Sequence, residues 1–227
     1  MATIIRLDDE LMIPTDVQSL ADFRVWAASD KFPDRGRIDY LDRSIEVDMS
    51  PEDLHTYGKV KLAISTAIWT LTEREELGET YSDRTRYSCL EADVSVEPDV
   101  VFVSEESLES GRARLVPQAS GDPDRYIEIE GSADLIVEVV SDRSVVKDTR
   151  RLPPRYYQAG VQEFWLVDVR GRELVFQIHH RGPDHFQPVA PDGEGYQLSS
   201  VLGRRYRLER RRNRKGRVTF RLLDQPI

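Results

Sequence analysis

Cysteine occurs once and histidine only four times in these 227 residues. The single Cys89 excludes an internal disulfide and points to a reducing, cytoplasmic setting. It has no histidine nearby in sequence and reads as a small core residue. Long apolar runs are missing too. None approaches the roughly 20 residues that a membrane-spanning helix needs, so no membrane partner is expected. The opening Met1-Ala-Thr-Ile-Ile-Arg-Leu-Asp-Asp-Glu10 has too short an apolar run for a signal peptide, and acids follow it. Internal repeats and linkers rich in Ser or Gly are absent. Residues 1–15 therefore read as an arm, 16–200 as one domain, and 201–227 as an extension packed on it.

What is present is charge, unevenly placed. With 39% hydrophobic and 32% charged residues the composition suits a globular protein of net charge −9. Residues 204–217 hold nine cations and one anion, a net +8, which leaves −17 for the rest of the chain. A basic patch on an acidic body fits local phosphate contact rather than general adhesion to nucleic acid. Its residues include Arg210, Arg211, Arg212, Arg214 and Lys215.

Periodicity predicts a mixed α/β chain. Ser19–Ala28 forms a helix, and Arg37–Asp42 with Ser44–Asp48 a hairpin. The longest helix opens at Met49-Ser-Pro-Glu-Asp53, capped by Ser50, and buries Leu54, Val60, Ile64, Ile68 and Leu71 up to Gly78. Strands are expected at 79–82, 85–90, 99–103, 126–130, 134–141, 163–168 and 173–178, with a short helix at 104–112 and a long loop at 111–124. Val145–Ala159 is helical but must bend or restart at Pro153-Pro154. Short strands follow near 186–189, then at 206–210 and 218–222, flanking a turn at Arg212-Asn-Arg-Lys-Gly216.

The chemistry lies in acids set into apolar strands. Asp134-Leu-Ile-Val-Glu-Val-Val-Ser141 reads as a strand buried on both faces, with Glu138 inside it. A buried carboxylate is costly unless paired, hydrogen-bonded or bound to a metal. Glu97-Pro-Asp-Val-Val-Phe-Val103 sets Asp99 at the mouth of a second such run. Two carboxylates on neighbouring strands suit Mg²⁺ or Mn²⁺, although on spacing alone an arginine pair for Glu138 and a turn cap for Asp99 are the commoner explanation of such acids. Asp39 and Glu52 are candidate third ligands, otherwise surface charges or caps. Asp148 reads as a brace for the helix after Glu138, and Lys147 as a cation able to meet a phosphate. His179 and His180 point to opposite faces of a strand, so with His185 they make no shared metal site. His55 reads as exposed.

At these residues the chain resembles the Uma-type family of restriction endonucleases, within the PD-(D/E)xK nuclease superfamily. Glu138-Val-Val-Ser141, Asp148, Tyr156 and Gly160-Val-Gln-Glu-Phe-Trp-Leu-Val-Asp168 carry the likeness. So do Glu97-Pro-Asp-Val-Val-Phe-Val103 and the opening Asp39-Tyr-Leu-Asp42 with Met49-Ser-Pro51. The likeness spans roughly residues 16–180. It implies a restriction-endonuclease-like core, a mixed sheet flanked by helices, and Mg²⁺-dependent hydrolysis of DNA phosphodiesters. It makes Asp99 the aspartate of the motif and Glu138 its second acid, both metal ligands, with Asp39 where the family has an assisting glutamate. The family's lysine is missing: Val140 stands two residues past Glu138, and Leu152 stands four past Asp148. Lys147 is the substitute, with Arg150 and Arg151 behind it, and Tyr57 sits near where related chains carry a histidine. The expectation is a DNA endonuclease acting as a homodimer. The alternative is a non-catalytic descendant that binds nucleic acid or a protein through the basic hairpin, or a structural dimer formed through the sheet of Trp165.

Overall fold

The computed structural model describes residues 5–8, 11–118 and 124–227. The N-terminal arm carries a hairpin: β1 (Ile5–Asp8) pairs antiparallel with β2 (Leu11–Ile13). Residues 1–4 and 9–10 of the expected arm lie outside the described residues. Ser19 then accepts a hydrogen bond from the Asp22 amide and starts α1 (Leu20–Ala27), which buries Leu20, Phe23 and Trp26 as its spacing requires. β3 (Arg37–Leu41) and β4 (Ser44–Asp48) form the expected hairpin. Asp42 and Arg43 between them both have positive φ, the pattern of a two-residue turn whose twist matches the strands.

The long helix starts later than Ser50. Ser50 gives its amide to Asp48 Oδ1 (2.8 Å), while Asp53 accepts from the His55 and Thr56 amides and caps a wide π turn, Leu54–Gly58. That turn runs into α2 (Lys59–Arg74). Val60, Ile64, Ile68 and Leu71 are buried as expected, but Leu54, ahead of the regular helix, is exposed. β5 (Gly78–Ser82) begins on a glycine because no other residue fits. Gly78 has φ 140°, and a Cβ there would lie 2.3 Å from the Val103 carbonyl oxygen.

β6 (Arg86–Cys89), β7 (Val94–Val96) and β8 (Val100–Ser104) follow, then α3 (Glu105–Glu109) and β9 (Ala113–Pro117). β9 falls inside the stretch expected to be a loop, of which residues 119–123 lie outside the described residues. Next come β10 (Tyr126–Gly131) and β11 (Leu135–Val139), the latter buried along its whole length. A second π turn, Lys147–Arg151, leads into α4 (Leu152–Gln158). The break expected at Pro153-Pro154 is thus a restart, with the prolines in the first turn of α4, where no amide is missed. β12 (Glu163–Asp168), β13 (Val175–Arg181), β14 (Phe186–Pro188), β15 (Gln197–Ser199), β16 (Arg204–Arg212) and β17 (Val218–Pro226) complete the chain.

These strands make two six-stranded mixed sheets, in the orders β4-β3-β7-β6-β10-β9 and β14-β13-β12-β11-β8-β5, and a three-stranded sheet β15-β16-β17. β6 with β10 and β11 with β12 are the parallel pairs within them. One face of the second sheet, through Val100, Phe102, Val137 and Trp165, packs on α2 and the C-terminal hairpin. The other, through Val101, Ile136 and Phe164, packs on α4 and the first sheet. Trp165 is fully buried, with its ring 5.0 Å from that of Tyr206. The chain's own C-terminal hairpin covers the sheet face that carries Trp165. No helix among the described residues is long and apolar enough to cross a membrane.

Candidate active site

Glu97, Pro98 and Asp99 carry the chain from β7 in the first sheet to β8 in the second, so the candidate site lies where the two sheets meet. β8 and β11 run antiparallel with Val100 opposite Val137, a register that continues to set Asp99 opposite Glu138. Asp99 is fully buried. Its Oδ2 accepts the Val139 amide (2.7 Å), and its Oδ1 receives Arg37 (3.0 Å) and the Tyr57 hydroxyl. Glu138 accepts the Tyr156 hydroxyl on Oε1 (2.5 Å), while its Oε2 is buried without a partner. Asp39, the candidate third ligand whose alternative was a surface charge or cap, is buried at the corner: Oδ1 accepts the Glu97 amide (3.0 Å) and Oδ2 accepts Lys147 Nζ (2.5 Å).

The four expected residues, Asp39, Asp99, Glu138 and Lys147, are therefore brought together. Arg37 and Tyr156 belong with them and were not assigned in advance. One signal for Arg37 was available: it stands two residues before Asp39 on β3, and alternate strand residues share a face. Asp148, on the π turn, is buried beside the group, and its Oδ1 also lacks a partner. Both positions where the family's lysine was sought are filled by core residues, since Val140 and Leu152 are buried. Glu52 is half exposed and pairs with Lys61 (2.7 Å). Arg151 turns outward to Asp42 (2.8 Å) and Glu46 (2.5 Å). His179, His180 and His185 make separate contacts, to the Phe164 carbonyl, the Leu198 carbonyl and Asp184.

Burial, followed by repulsion from Asp148 and Asp99, holds the Glu138 carboxyl well above the usual carboxylate range. Burial likewise pushes Asp148 up to about 6. Burial is the largest single influence on Arg37 and Lys147 and works against their charge, but the surrounding anions, Asp99 foremost for Arg37 and Asp39 for Lys147, together outweigh it and raise both pKa values. Four buried carboxylates (Asp39, Asp99, Glu138, Asp148) thus face two cations, Arg37 on Asp99 and Lys147 on Asp39. The two carboxylates without a cationic partner are Glu138 and Asp148, the two whose pKa values are raised.

Above the acids opens a cleft of about 940 Å³. Arg37, Asp39, Tyr57 and Lys147 are among its lining residues, whereas Asp99, Glu138 and Asp148 lie behind them. Among the described residues no three His, Cys, Asp or Glu side chains form a ready metal cage. Mg²⁺ does not require one, since it commonly takes one or two carboxylates and keeps several waters. The free oxygen of Glu138 and the missing positive charge therefore fit a divalent cation. Asp99 would first have to release Arg37.

The basic hairpin sits beside this cleft. Lys59, two residues from Tyr57, donates to the Val218 carbonyl (2.9 Å). Arg210 donates to the carbonyls of Val169, Gly171 (2.9 Å) and Arg172 (3.1 Å), around the cleft-lining Arg170. Arg210 is thereby turned inward, and Arg211 is paired with Glu209. Arg212 spans the turn to the Gly216 carbonyl (2.7 Å). Arg214 and Lys215 are exposed, and among the described residues their side chains have no bonded partner.

Residues 20–209 match the family Uma2, described as "Putative restriction endonuclease". A crystal structure described as a "putative nuclease belonging to DUF820", from Anabaena variabilis, aligns with a TM-score of 0.54 at 16% identity. The alignment covers 81% of this chain and 98% of that one. At that identity the likeness is one of fold. No curated protein matches the chain. The family match runs from α1 into β16, far more than half of the chain, and the chain belongs to the Uma2 family of restriction-endonuclease-like proteins.

Proposed function

We propose that this protein is a divalent-metal-dependent endonuclease that hydrolyses DNA phosphodiester bonds. The observation that carries the reading is the Glu138 carboxylate, buried opposite Asp99 with one oxygen unpartnered, beneath a cationic floor that opens to a cleft. Glu138 and Asp99 are the residues that would hold the metal. When bound, Mg²⁺ or Mn²⁺ supplies positive charge to the phosphate and lowers the pKa of water.

The rest falls to the chain's own groups. Tyr156 holds Glu138 in one orientation, and the Val139 amide holds Asp99. Asp39 fixes the Lys147 ammonium at the cleft floor, where it can meet a phosphate oxygen as charge develops on it. Arg37 offers a guanidinium able to engage two phosphate oxygens once it leaves Asp99. Arg211, Arg212, Arg214 and Lys215 contact the DNA backbone at the cleft edge, with Arg210 anchoring their hairpin. Cutting both strands calls for two sites, and the protein acts as a homodimer.

A second reading has its own support. Val140 and Leu152 occupy the lysine positions, and Arg37 and Lys147 already neutralise two of the acids. That arrangement suits a descendant that binds nucleic acid without cutting it. Cleavage of supercoiled and single-stranded DNA with Mn²⁺ or with EDTA, by wild type and E138Q, separates the two. Cutting that requires both the metal and Glu138 supports the nuclease. No cutting, with DNA still bound at low salt, supports the binding descendant.

A further inference from the structure

We propose that Asp148 is a metal ligand, sharing one divalent cation with Glu138 through the two buried carboxylate oxygens that have no other partner. The inference rests on the metal-dependent reading above and adds a ligand to it. Among the described residues only two carboxylate oxygens are buried without a hydrogen-bond partner, Glu138 Oε2 and Asp148 Oδ1. Both residues are 1% exposed, so bulk water does not satisfy these atoms, and an uncompensated buried charge is among the most costly features a fold can keep. Asp148 is also the charged neighbour that acts most strongly on Glu138, ahead of Asp99.

Asp99 is in the opposite condition. Tyr57, Arg37 and the Val139 amide engage both of its oxygens. A cation would meet free oxygens on Glu138 and Asp148, and occupied ones on Asp99. Once ionised, Glu138 and Asp148 carry the two negative charges that one divalent ion neutralises, and two carboxylates with retained waters satisfy magnesium-like coordination. The alternative for Asp148 is a brace or cap. The Ser144 side chain does hydrogen-bond the Asp148 carboxylate, but that bond leaves Oδ1 without a partner, and π turns recur at functional sites.

Mn²⁺ titration read by the spin-resonance signal of the free ion, together with melting in EDTA, tests this on wild type, D148N and E138Q. D148N is expected to weaken Mn²⁺ binding at least about tenfold, as E138Q does. It is also expected to melt no lower than wild type in EDTA, because it removes an unneutralised charge. Should D148N prove insoluble, Asp148→Ser removes the same carboxylate and carries the same expectation. D148N or its serine counterpart binding Mn²⁺ within about twofold of wild type overturns the proposal and leaves Asp148 a brace. Wild type that binds no Mn²⁺ overturns the metal-dependent reading along with it, whereas wild-type binding that survives loss of Asp148 overturns this inference alone.

Discussion

Lys147 and Asp39 show how much rests on single residues. Their pair ties β3 of the first sheet to the π turn before α4 through a 2.5 Å contact in which both members are largely buried. Removing one partner of a buried pair leaves the other charge stranded, at a cost of about 3 kcal/mol. Denaturant unfolding should show that loss for Lys147→Met, with part of it recovered in the double variant carrying Asp39→Asn. A double variant whose loss equals the sum of the Lys147→Met and Asp39→Asn losses would mean the two charges are not coupled. His180 offers a test at a distance from the site. Its hydrogen bond to Glu163 raises its pKa above 6.5. The stabilisation is therefore complete below pH 6.5 and fades as pH rises through the higher folded value. His180→Gln should lower the melting temperature more at pH 6 than at pH 8, and a loss independent of pH would contradict the pairing. Asp99 and Glu138 could be read in the sequence because one is an acid at the mouth of an apolar strand and the other an acid inside one. The partnership of Arg37 with Asp99 could not, because it depends on how one sheet packs against the other.

At the scale of elements, the π turn before α4 explains how the family's lysine could be lost from its place. The turn brings Lys147 to the cleft floor and sends Leu152 into the core beside Tyr156. Restoring the lysine by Leu152→Lys should therefore not restore chemistry. It buries an unpaired ammonium and should cost about 3 kcal/mol or more in thermal or denaturant melts, with no gain in cleavage. A stable and more active variant would show that this face of α4 reaches the cleft after all. The long, regular elements were legible: α2, β11, β12 and the β16–β17 hairpin follow from apolar periodicity and turn residues. β7 and β15, at three residues each, were not, since a period of two hardly registers over so short a run. The start of α2 was displaced because Asp48 takes the Ser50 amide and Asp53 offers the better cap.

Over the whole molecule, charge is sorted by place, with buried acids at the sheet junction and exposed cations at the hairpin tip beside the cleft. If the tip meets phosphates, each lost contact should reduce the salt dependence of DNA binding by about 0.9 in log–log slope. Replacing Arg214 and Lys215 together by alanine should lower that slope without changing the melting temperature, because neither side chain has a folded-state partner among the described residues. An unchanged slope would place the DNA elsewhere. The central claim is that a divalent ion belongs at Glu138, behind the floor of Arg37 and Lys147. A crystal soaked in Mn²⁺ and examined at the manganese absorption edge tests it most directly. The account predicts an anomalous peak within coordination distance of Glu138. A peak only at exposed carboxylates such as Asp83 or Glu52, with none at Glu138 despite full soaking, would contradict it.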